Sequence, residues 1–394
     1  MAAALAERVG RRVSEADIGM DGVHDPVAAM GLDFPRDPTT AVRGAVTYWR
    51  NVQRRHFLTT GGFAVSAYAT PVTRWLAVPS TAPTAHRGTR HVGQSDVEEL
   101  WAAAEDARLQ DSRFGGGHWK SSSVSQCLTH QAAPLLNGTY TEAVGRELFS
   151  ATAELSRVVG WSAFDVGQHH AAQRYFIQAL AMARAGGDVQ AGSYILATMA
   201  LQTCLGGYPD QAVDMAQGAS ERGKGVAAPR VLAFAKLAEA RAHGRLGDAA
   251  AASSALRQSE TLLETIQPGG NDPDWLAYFT HERISADATE IYRDLRNPRA
   301  AFVWNQQADA MPAGRYTRAV GIRYAVLGTA HLQQRDLDQG LAMGHQAVKV
   351  LGRVRSSRAC GYISDFVGAL GEWKAEPRVA DFIHHARSEL AATT

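Results

Sequence analysis

The chain has 394 residues, of which 45% are hydrophobic and 20% are charged. These values are typical of globular proteins, so most of the chain is expected to fold. A formal net charge of +1 excludes a generally polybasic or polyacidic protein, and no strongly apolar run reaches the length of about 18 residues that a transmembrane helix needs.

The first 95 residues predict two helices followed by a linker. Residues 1–20 indicate a short helix and a turn, and the spacing of apolar residues predicts a second helix from Thr39 to His56. Residues 78–93 are rich in Pro, Thr, Ser and Gly, which is the composition of a linker. We therefore expect three parts: an N-terminal unit at 1–77, a flexible linker at 78–95 and a helical domain at 96–394.

The N-terminal part is also basic. Residues 38–95 contain no Asp or Glu but seven arginines, a composition suited to contact with nucleic acid, an anionic membrane or an acidic protein face. A segment of this kind can equally be a basic helix and linker without a dedicated partner.

Residues 54–58, RRHFL, match the core of a twin-arginine export signal, and residues 67–69, AYA, supply a small-x-small cleavage site. Export requires a disposable N-terminus, whereas Tyr48 and Trp49 belong to an amphipathic helix. The uncharged run after Leu58 is also only weakly apolar. We therefore interpret the segment as an internal linker helix in a cytoplasmic protein, with an exported repeat scaffold as the alternative.

From residue 96 onward, apolar residues recur at helical spacing without a period-2 segment, so we predict an all-α fold. The sequence also repeats: turn glycines at 167, 207 and 247 are 40 residues apart, and an alanine lies five residues after each. Two further units with altered turns place Ala301 and Gly340 at this small position. Glycine permits the left-handed turn that ends a helix, and the small residue lets two antiparallel helices approach closely. The pattern predicts an array of α-hairpins, an α-hairpin solenoid.

The unit resembles the tetratricopeptide repeat. The first unit matches that repeat at Gly160, Gly167, Ala172, Phe176 and Ala179, although the period of 40 residues exceeds the usual value of about 34. The resemblance implies a tetratricopeptide-like solenoid preceded by a short N-terminal helical segment.

The succession of segments 97–117, 154–188 and 195–219 resembles a group of actinobacterial regulators. These proteins carry an N-terminal Cro/cI-type (XRE) helix-turn-helix followed by tetratricopeptide-like repeats, and some act in sporulation and antibiotic production. The resemblance implies a transcription-associated role in developmental or secondary-metabolism control.

Residues 4–20 resemble only the last helix and tail of that DNA-binding domain, so residues 1–77 are interpreted as its remnant plus a linker helix. A complete helix-turn-helix is needed to place a helix in the major groove. DNA binding is therefore expected only if such a domain lies upstream, and a direct contact through the basic segment 43–90 is a further alternative.

No chemical motif stands out. In residues 115–123, GGGHWKSSS, Trp119 occupies the position at which a phosphate loop needs glycine. The adjacent histidine pairs at 169–170 and 384–385 point to different helix faces, whereas metal ligands on one helix are spaced by three or four residues. We predict no catalytic residue, no metal and no cofactor, and hence no enzyme.

Helical repeat arrays bind partners on a concave face lined by the first helix of each unit. The repeat alignment places arginines and aromatic residues near that face, a combination suited to an extended peptide or an acidic ligand. We predict a protein or peptide ligand in this groove, a possible homodimer and no membrane contact. The predicted groove residues are Arg157, Trp161, Tyr194, Gln202, Arg241, Arg283, Glu290 and Arg323.

Overall fold

A computed structural model describes residues 30–54, 63–78, 85–117, 122–267, 270, 272–308, 312 and 314–391. Within these ranges the fold is all-α, as predicted. None of the described helices is long and apolar enough to cross a membrane. The predicted helix at 1–20 and the RRHFL signature from Arg55 onward lie outside the described residues, as does part of the glycine-rich segment 115–123.

The second predicted helix is present as α1, with nearly the predicted bounds. A π-helical turn (Leu128–Ala132) joins α4 to α5, and 3-10 turns occur at Val65–Tyr68, Asp274–Leu276 and Leu370–Trp373. The helices in chain order are α1 (Pro38–Arg54), α2 (Ala69–Ala77), α3 (Gln94–Phe114), α4 (Ser123–Cys127), α5 (Ala133–Leu136), α6 (Glu142–Asp165), α7 (His169–Gly186), α8 (Val189–Leu205), α9 (Pro209–Gly223), α10 (Pro229–Leu246), α11 (Ala249–Glu264), α12 (His281–Asp294), α13 (Pro298–Ala308), α14 (Thr317–Gln333), α15 (Leu337–Leu351), α16 (Ser357–Ala369) and α17 (Pro377–Ala391).

Consecutive helices pack in pairs: α6 with α7, α8 with α9, α10 with α11, α12 with α13, and α14 with α15. Because short turns join the two helices of a pair, each pair is antiparallel. The first helices also contact one another in the order α6, α8, α10, α12, α14 and α16. They therefore form a continuous layer.

The turn inside each pair has the same left-handed backbone. Gly167, Gly207 and Gly247 have φ values of +79°, +91° and +79°. The two altered units place arginine at the equivalent turn position, and Arg296 and Arg335 still adopt φ values of 53° and 62°. The turn geometry is thus kept where the glycine is absent.

The small residue of each unit lies where the two helices of a pair approach most closely. Ala172, Ala212, Ala252 and Ala301 are completely buried. At Gly340 a Cβ atom would lie 2.7 Å from Cδ2 of Leu332, which is closer than real Cβ contacts. The spacing of small residues in the sequence therefore reflects helix contact.

The N-terminal segment packs against the second helices of the first two pairs. α1 and α2 contact α7, and α2 also contacts α9. Trp75 is fully buried beside Gly192, where a Cβ would lie 2.1 Å from its ring. The amide of Gln173 donates to the backbone oxygen of Ala64 (2.7 Å) and accepts from its nitrogen (3.4 Å). The described part of residues 1–77 thus shares one hydrophobic cluster with the repeats.

The predicted flexible linker at 78–95 is in part attached to the helical domain. His86 and Tyr140 exchange backbone hydrogen bonds of 3.1 and 3.2 Å, and their rings stack. Val92 donates to the oxygen of Thr139 at 2.9 Å, and Gln94 already begins α3. The composition indicates a free linker, but backbone groups of His86, Gly88, Arg90 and Val92 form hydrogen bonds with Thr139 and Tyr140.

The last helices return to the first. α14 contacts α3, α16 contacts α6, and the backbone nitrogen of Arg355 donates to the oxygen of Phe114 at 3.0 Å. The layer of first helices therefore surrounds a central space.

The left-handed turns give a test of backbone strain. Replacing Gly247 by alanine should lower the free energy of unfolding by about 1–2 kcal/mol, because an L-residue is disfavoured in this conformation. An added Cβ meets nothing within 4 Å, so the loss reports the backbone alone. Urea denaturation measures it.

The matched control is Gly361→Ala in α16, where an added Cβ also meets nothing within 4 Å. Gly361 is exposed and helical, so alanine should stabilise the protein by about 0.5–1 kcal/mol. Equal effects of the two substitutions would contradict the assignment of strain to the turn.

Candidate ligand-binding cavity

The central space is a cavity of about 130 Å³. α3 and the first helices α6, α8, α10, α12, α14 and α16 all contribute side chains to its wall. One water molecule needs about 10–15 Å³ of such cavity volume, so the cavity has room for roughly ten non-hydrogen atoms. It is suited to a small molecule or the end of a chain.

Arginine dominates the wall. Of the described residues that line the cavity, eight are arginines and three are carboxylates, and five aromatic residues accompany them. The arginines are Arg108, Arg157, Arg241, Arg283, Arg315, Arg318, Arg323 and Arg358; the carboxylates are Asp111, Asp287 and Glu290; the aromatic residues are Trp161, Tyr194, Phe234, Tyr278 and Tyr316.

Seven of the eight predicted groove residues line this cavity: Arg157, Trp161, Tyr194, Arg241, Arg283, Glu290 and Arg323. Gln202 is not among the lining residues. Its buried side chain accepts a hydrogen bond from the hydroxyl of Tyr68 and donates to the backbone oxygen of His169 at 2.9 Å. It therefore fixes the N-terminal segment to the repeats. The ligand-binding role of the other seven stays a prediction.

On α6, Arg157 is held on two sides. It forms two hydrogen bonds of 2.7 Å with Glu154, one turn away, and its guanidinium lies 4.8 Å from the ring centre of Tyr194. Burial opposes the charge of Arg157, but Glu154 and Tyr194 together raise its pKa above the ordinary value. The hydroxyl of Tyr194 is in turn 2.8 Å from that of Tyr278. This cation and its aromatic neighbours are thus pre-positioned.

A buried charge network forms the wall between α10 and α12. Arg241 contacts Asp287 and lies 2.8 Å from Glu290, and Arg283 donates to Asp287 at 2.7 Å. Glu290 also accepts from the hydroxyl of Tyr362 at 2.6 Å. Burial alone would raise the pKa of Glu290, but Arg241, Arg293 and Arg245 lower it well below its usual value. Glu290 therefore stays ionised, and Arg241 is a structural part of the wall.

Where the last helices meet the first, the wall consists of ion pairs. Arg318 on α14 lies 2.6 Å from Asp111 on α3 and 2.8 Å from Asp165 on α6. Arg358 on α16 donates to Asp165 at 3.1 Å, and Ser356 donates to it at 2.9 Å. We call Asp111, Asp165, Arg318 and Arg358 the polar seam.

Asp165 is the centre of the polar seam and is completely buried. Burial raises its pKa, but Arg318 and Arg358, with the backbone nitrogen of Gly116 and the hydroxyl of Ser356, lower it below 3.8 overall. The repeat alignment missed this residue because its partners lie on distant units. Asp111 and Arg318 are 207 positions apart in the sequence, and no local spacing connects them.

At the edge of the cavity, Arg315 is exposed and lies 5.6 Å from the ring centre of Tyr316. It makes no ion pair within the described part of the chain. Arg108 lies 5.3 Å from the ring centre of Tyr278 and forms an ion pair with Glu105. Arg315 therefore contributes a positive charge at the cavity that attracts anions.

Comparison of the chain with protein-family models, with curated proteins and with solved structures gives no match. The function proposed for the chain therefore rests on this cavity, and the resemblance to XRE regulators stays a prediction.

Replacing Asp165 by asparagine should lower the free energy of unfolding by about 3 kcal/mol. The substitution leaves the buried guanidinium of Arg318 without one of its two partners, and the loss of one partner of a buried pair costs about 3–5 kcal/mol. Asp365→Asn on the exposed side of α16 is the control and should change stability by less than about 0.5 kcal/mol. Urea denaturation of both variants measures these changes in the free energy of unfolding.

The contribution of Asp165 should also depend on pH. Its pKa is lower in the folded protein than in the unfolded chain, so its stabilisation is complete above the unfolded pKa and is lost as pH falls through the folded pKa. The stability difference between the wild type and Asp165→Asn should be constant from about pH 7 to 5 and shrink below about pH 4. A difference that grows on acidification would contradict this sign.

Proposed function

We propose that the chain is a peptide-binding repeat protein, not an enzyme, and that its cavity holds the acidic end of a peptide. The observation that carries the proposal is the composition of the cavity wall. Helices from every repeat pair contribute to it, and eight arginines line it. Six of these arginines pair with six carboxylates, so arginines exceed carboxylates by eight to six among these described groups. The paired carboxylates are Glu105, Asp111, Glu154, Asp165, Asp287 and Glu290. Such a wall attracts an anion from solution and stabilises it once it is bound.

The size and the aromatic content of the cavity favour a chain end over a whole folded surface. A space for roughly ten atoms accommodates one terminal residue with its carboxylate. Trp161, Tyr194, Phe234 and Tyr278 provide apolar contact for a side chain, and arginine binds a planar carboxylate with two hydrogen bonds. The rest of the peptide would leave past Arg315 and Tyr316.

The architecture that we propose is a tetratricopeptide-like solenoid whose first helices form the inner face. It is supported by the paired helices, by the buried small residues and by the left-handed turns at the repeat positions. In such arrays the first helices bind the ligand. By the resemblance described above, we further propose a role in transcription-associated regulation of development or secondary metabolism, with the peptide as the signal.

A cytoplasmic location is part of the same proposal. Export with cleavage at residues 67–69 would remove α1 and the segment before it. Phe34, Tyr48 and Trp49 are buried in the hydrophobic cluster of the repeats, so their removal would expose a large apolar surface. This packing favours a retained N-terminal segment over a disposable signal.

The test measures binding of fluorescein-labelled five-residue peptides by fluorescence polarisation. The peptides end in Phe, Leu or Glu and are compared as free acids and as C-terminal amides. We expect a free acid to bind more tightly than its amide, and Arg315→Gln to weaken binding of the free acid about tenfold, since a charge-assisted hydrogen bond contributes about 1.5–3 kcal/mol.

Arg43→Gln is the matched control, because Arg43 is an exposed arginine on α1 outside the cavity. It should leave the affinity unchanged. Binding that does not distinguish acid from amide, or that falls equally with Arg43→Gln, would refute the proposed site.

A further inference from the structure

The buried hydrophobic residues form two separate clusters. One extends from Phe34 to Ile291 and the other from Ile322 to Ala386. We call the helices before α14 the first body and α14 to α17 the second body. The cavity lies between them: α14 and α16 provide one side of its wall, and α3, α6, α8, α10 and α12 provide the other.

α14 packs on α12 and α13, where the rings of Phe302 and His331 are in contact, and polar groups connect the two bodies around the cavity. On one side stands the polar seam, in which Asp165 and Asp111 of the first body hold Arg318 and Arg358 of the second. On the other side Tyr362 donates to Glu290 at 2.6 Å, and Gln333 donates to the backbone oxygen of Arg293 at 2.9 Å. Water can replace each of these bonds when the bodies separate, whereas it cannot replace the contacts inside a hydrophobic cluster.

Four of the contact residues also line the cavity: Asp111 and Glu290 of the first body, and Arg318 and Arg358 of the second. Arg318 and Arg358 pair with Asp165 and also line the cavity wall. The guanidinium of Arg358 lies 5.4 Å from the ring centre of Trp161, so opening of the polar seam would separate this aromatic contact as well. Any movement of the second body therefore changes the cavity directly.

We propose that the polar seam is the gate of the cavity: it opens reversibly to admit the ligand and closes over it. The proposal rests on the proposed function for the chemistry of the ligand, an acidic peptide end. Opening of the polar seam does not require a ligand. An anion inside would favour the closed seam because it attracts arginines of both bodies.

The first test uses a thiol inside the cavity. Thr198 lines the cavity and is 1% exposed, so Thr198→Cys reports access when its modification by N-ethylmaleimide is timed. The background lacks the native thiols (Cys127→Ala, Cys204→Ala and Cys360→Ser). Adding Asp165→Asn should accelerate modification by about tenfold or more, and adding Asp365→Asn should not.

A second thiol, Ala179→Cys, separates gate opening from unfolding. Ala179 is completely buried in the core of α7, away from the seam, so its modification reports unfolding of the first body. It should stay slow when Asp165→Asn accelerates modification at position 198. Equal acceleration at both positions, or none at position 198, would overturn the proposal.

The second test closes the gate covalently. A Cβ built at Gly167 lies 3.5 Å from Cβ of Ser357 on the other body, within the range of about 3.5–4.5 Å found in disulfides. With Gly167→Cys and Ser357→Cys oxidised, modification at position 198 should slow to the rate measured at position 179. Reduction and removal of the reductant should restore it, and the single variant Gly167→Cys controls for strain at this left-handed turn.

Unchanged access in the oxidised form, with the disulfide verified by peptide mapping, would show that the seam is not the route. Peptide binding to the oxidised and reduced forms then separates the two proposals. If no peptide binds either form but thiol access follows the seam, the proposed ligand fails and the gate stands. If peptides bind equally fast to both forms, the gate fails and the proposed function stands.

Discussion

The arrangement of this protein depends on how one buried carboxylate is paired. Asp165 lies at the end of α6, forms an ion pair with Arg318 and accepts hydrogen bonds from Arg358, Ser356 and the backbone of Gly116. Desolvation of a carboxylate costs several kcal/mol, and several charged or polar partners are needed to offset that cost. Three of these partners, Arg318, Ser356 and Arg358, come from the last helices of the chain. The pairing therefore joins the two ends of the helical array and converts an open curved layer into the wall of a cavity.

The same principle organises the wall itself. Arg157 and Arg241 are held by carboxylates of the protein itself, so their positions are determined by the protein. The proposed ligand would not have to immobilise these long side chains, which otherwise costs about 0.5–1.5 kcal/mol for each one. Arg315 differs, because it is exposed at the edge and stacks only on Tyr316. The cavity thus combines a rigid interior with an adaptable edge.

Much of the fold could be predicted from sequence because its causes are local. The helical class follows from apolar spacing, and the turns at Gly167, Gly207 and Gly247 follow from the freedom of glycine at positive φ. The repeat alignment even located the two turns at Arg296 and Arg335, where the residue type alone gives no signal. The alignment also predicted which residues of the first helices face inward, and seven of the eight predicted residues line the cavity.

What could not be predicted depends on contacts between distant segments. Gln202 has the spacing of a groove residue but bonds to Tyr68 of the N-terminal segment, which no repeat pattern contains. The polar seam could not be predicted either, because its residues lie on different repeat units. The burial of α7 on both sides likewise arises because α1 and α2 cover it. The composition of residues 78–95 indicated a free linker, yet residues 86, 90 and 92 form hydrogen bonds with residues 139 and 140.

The meeting of the last helices with the first has a consequence for how this protein can change over time. Open repeat arrays tolerate duplication or loss of a unit, because each unit contacts only its neighbours. Here an additional hairpin would move Arg318 away from Asp165 and leave both charges buried without their partners. The pairing of charges between the two ends therefore limits the number of helix pairs. Evolutionary change is expected in the side chains that line the cavity and not in the number of helix pairs.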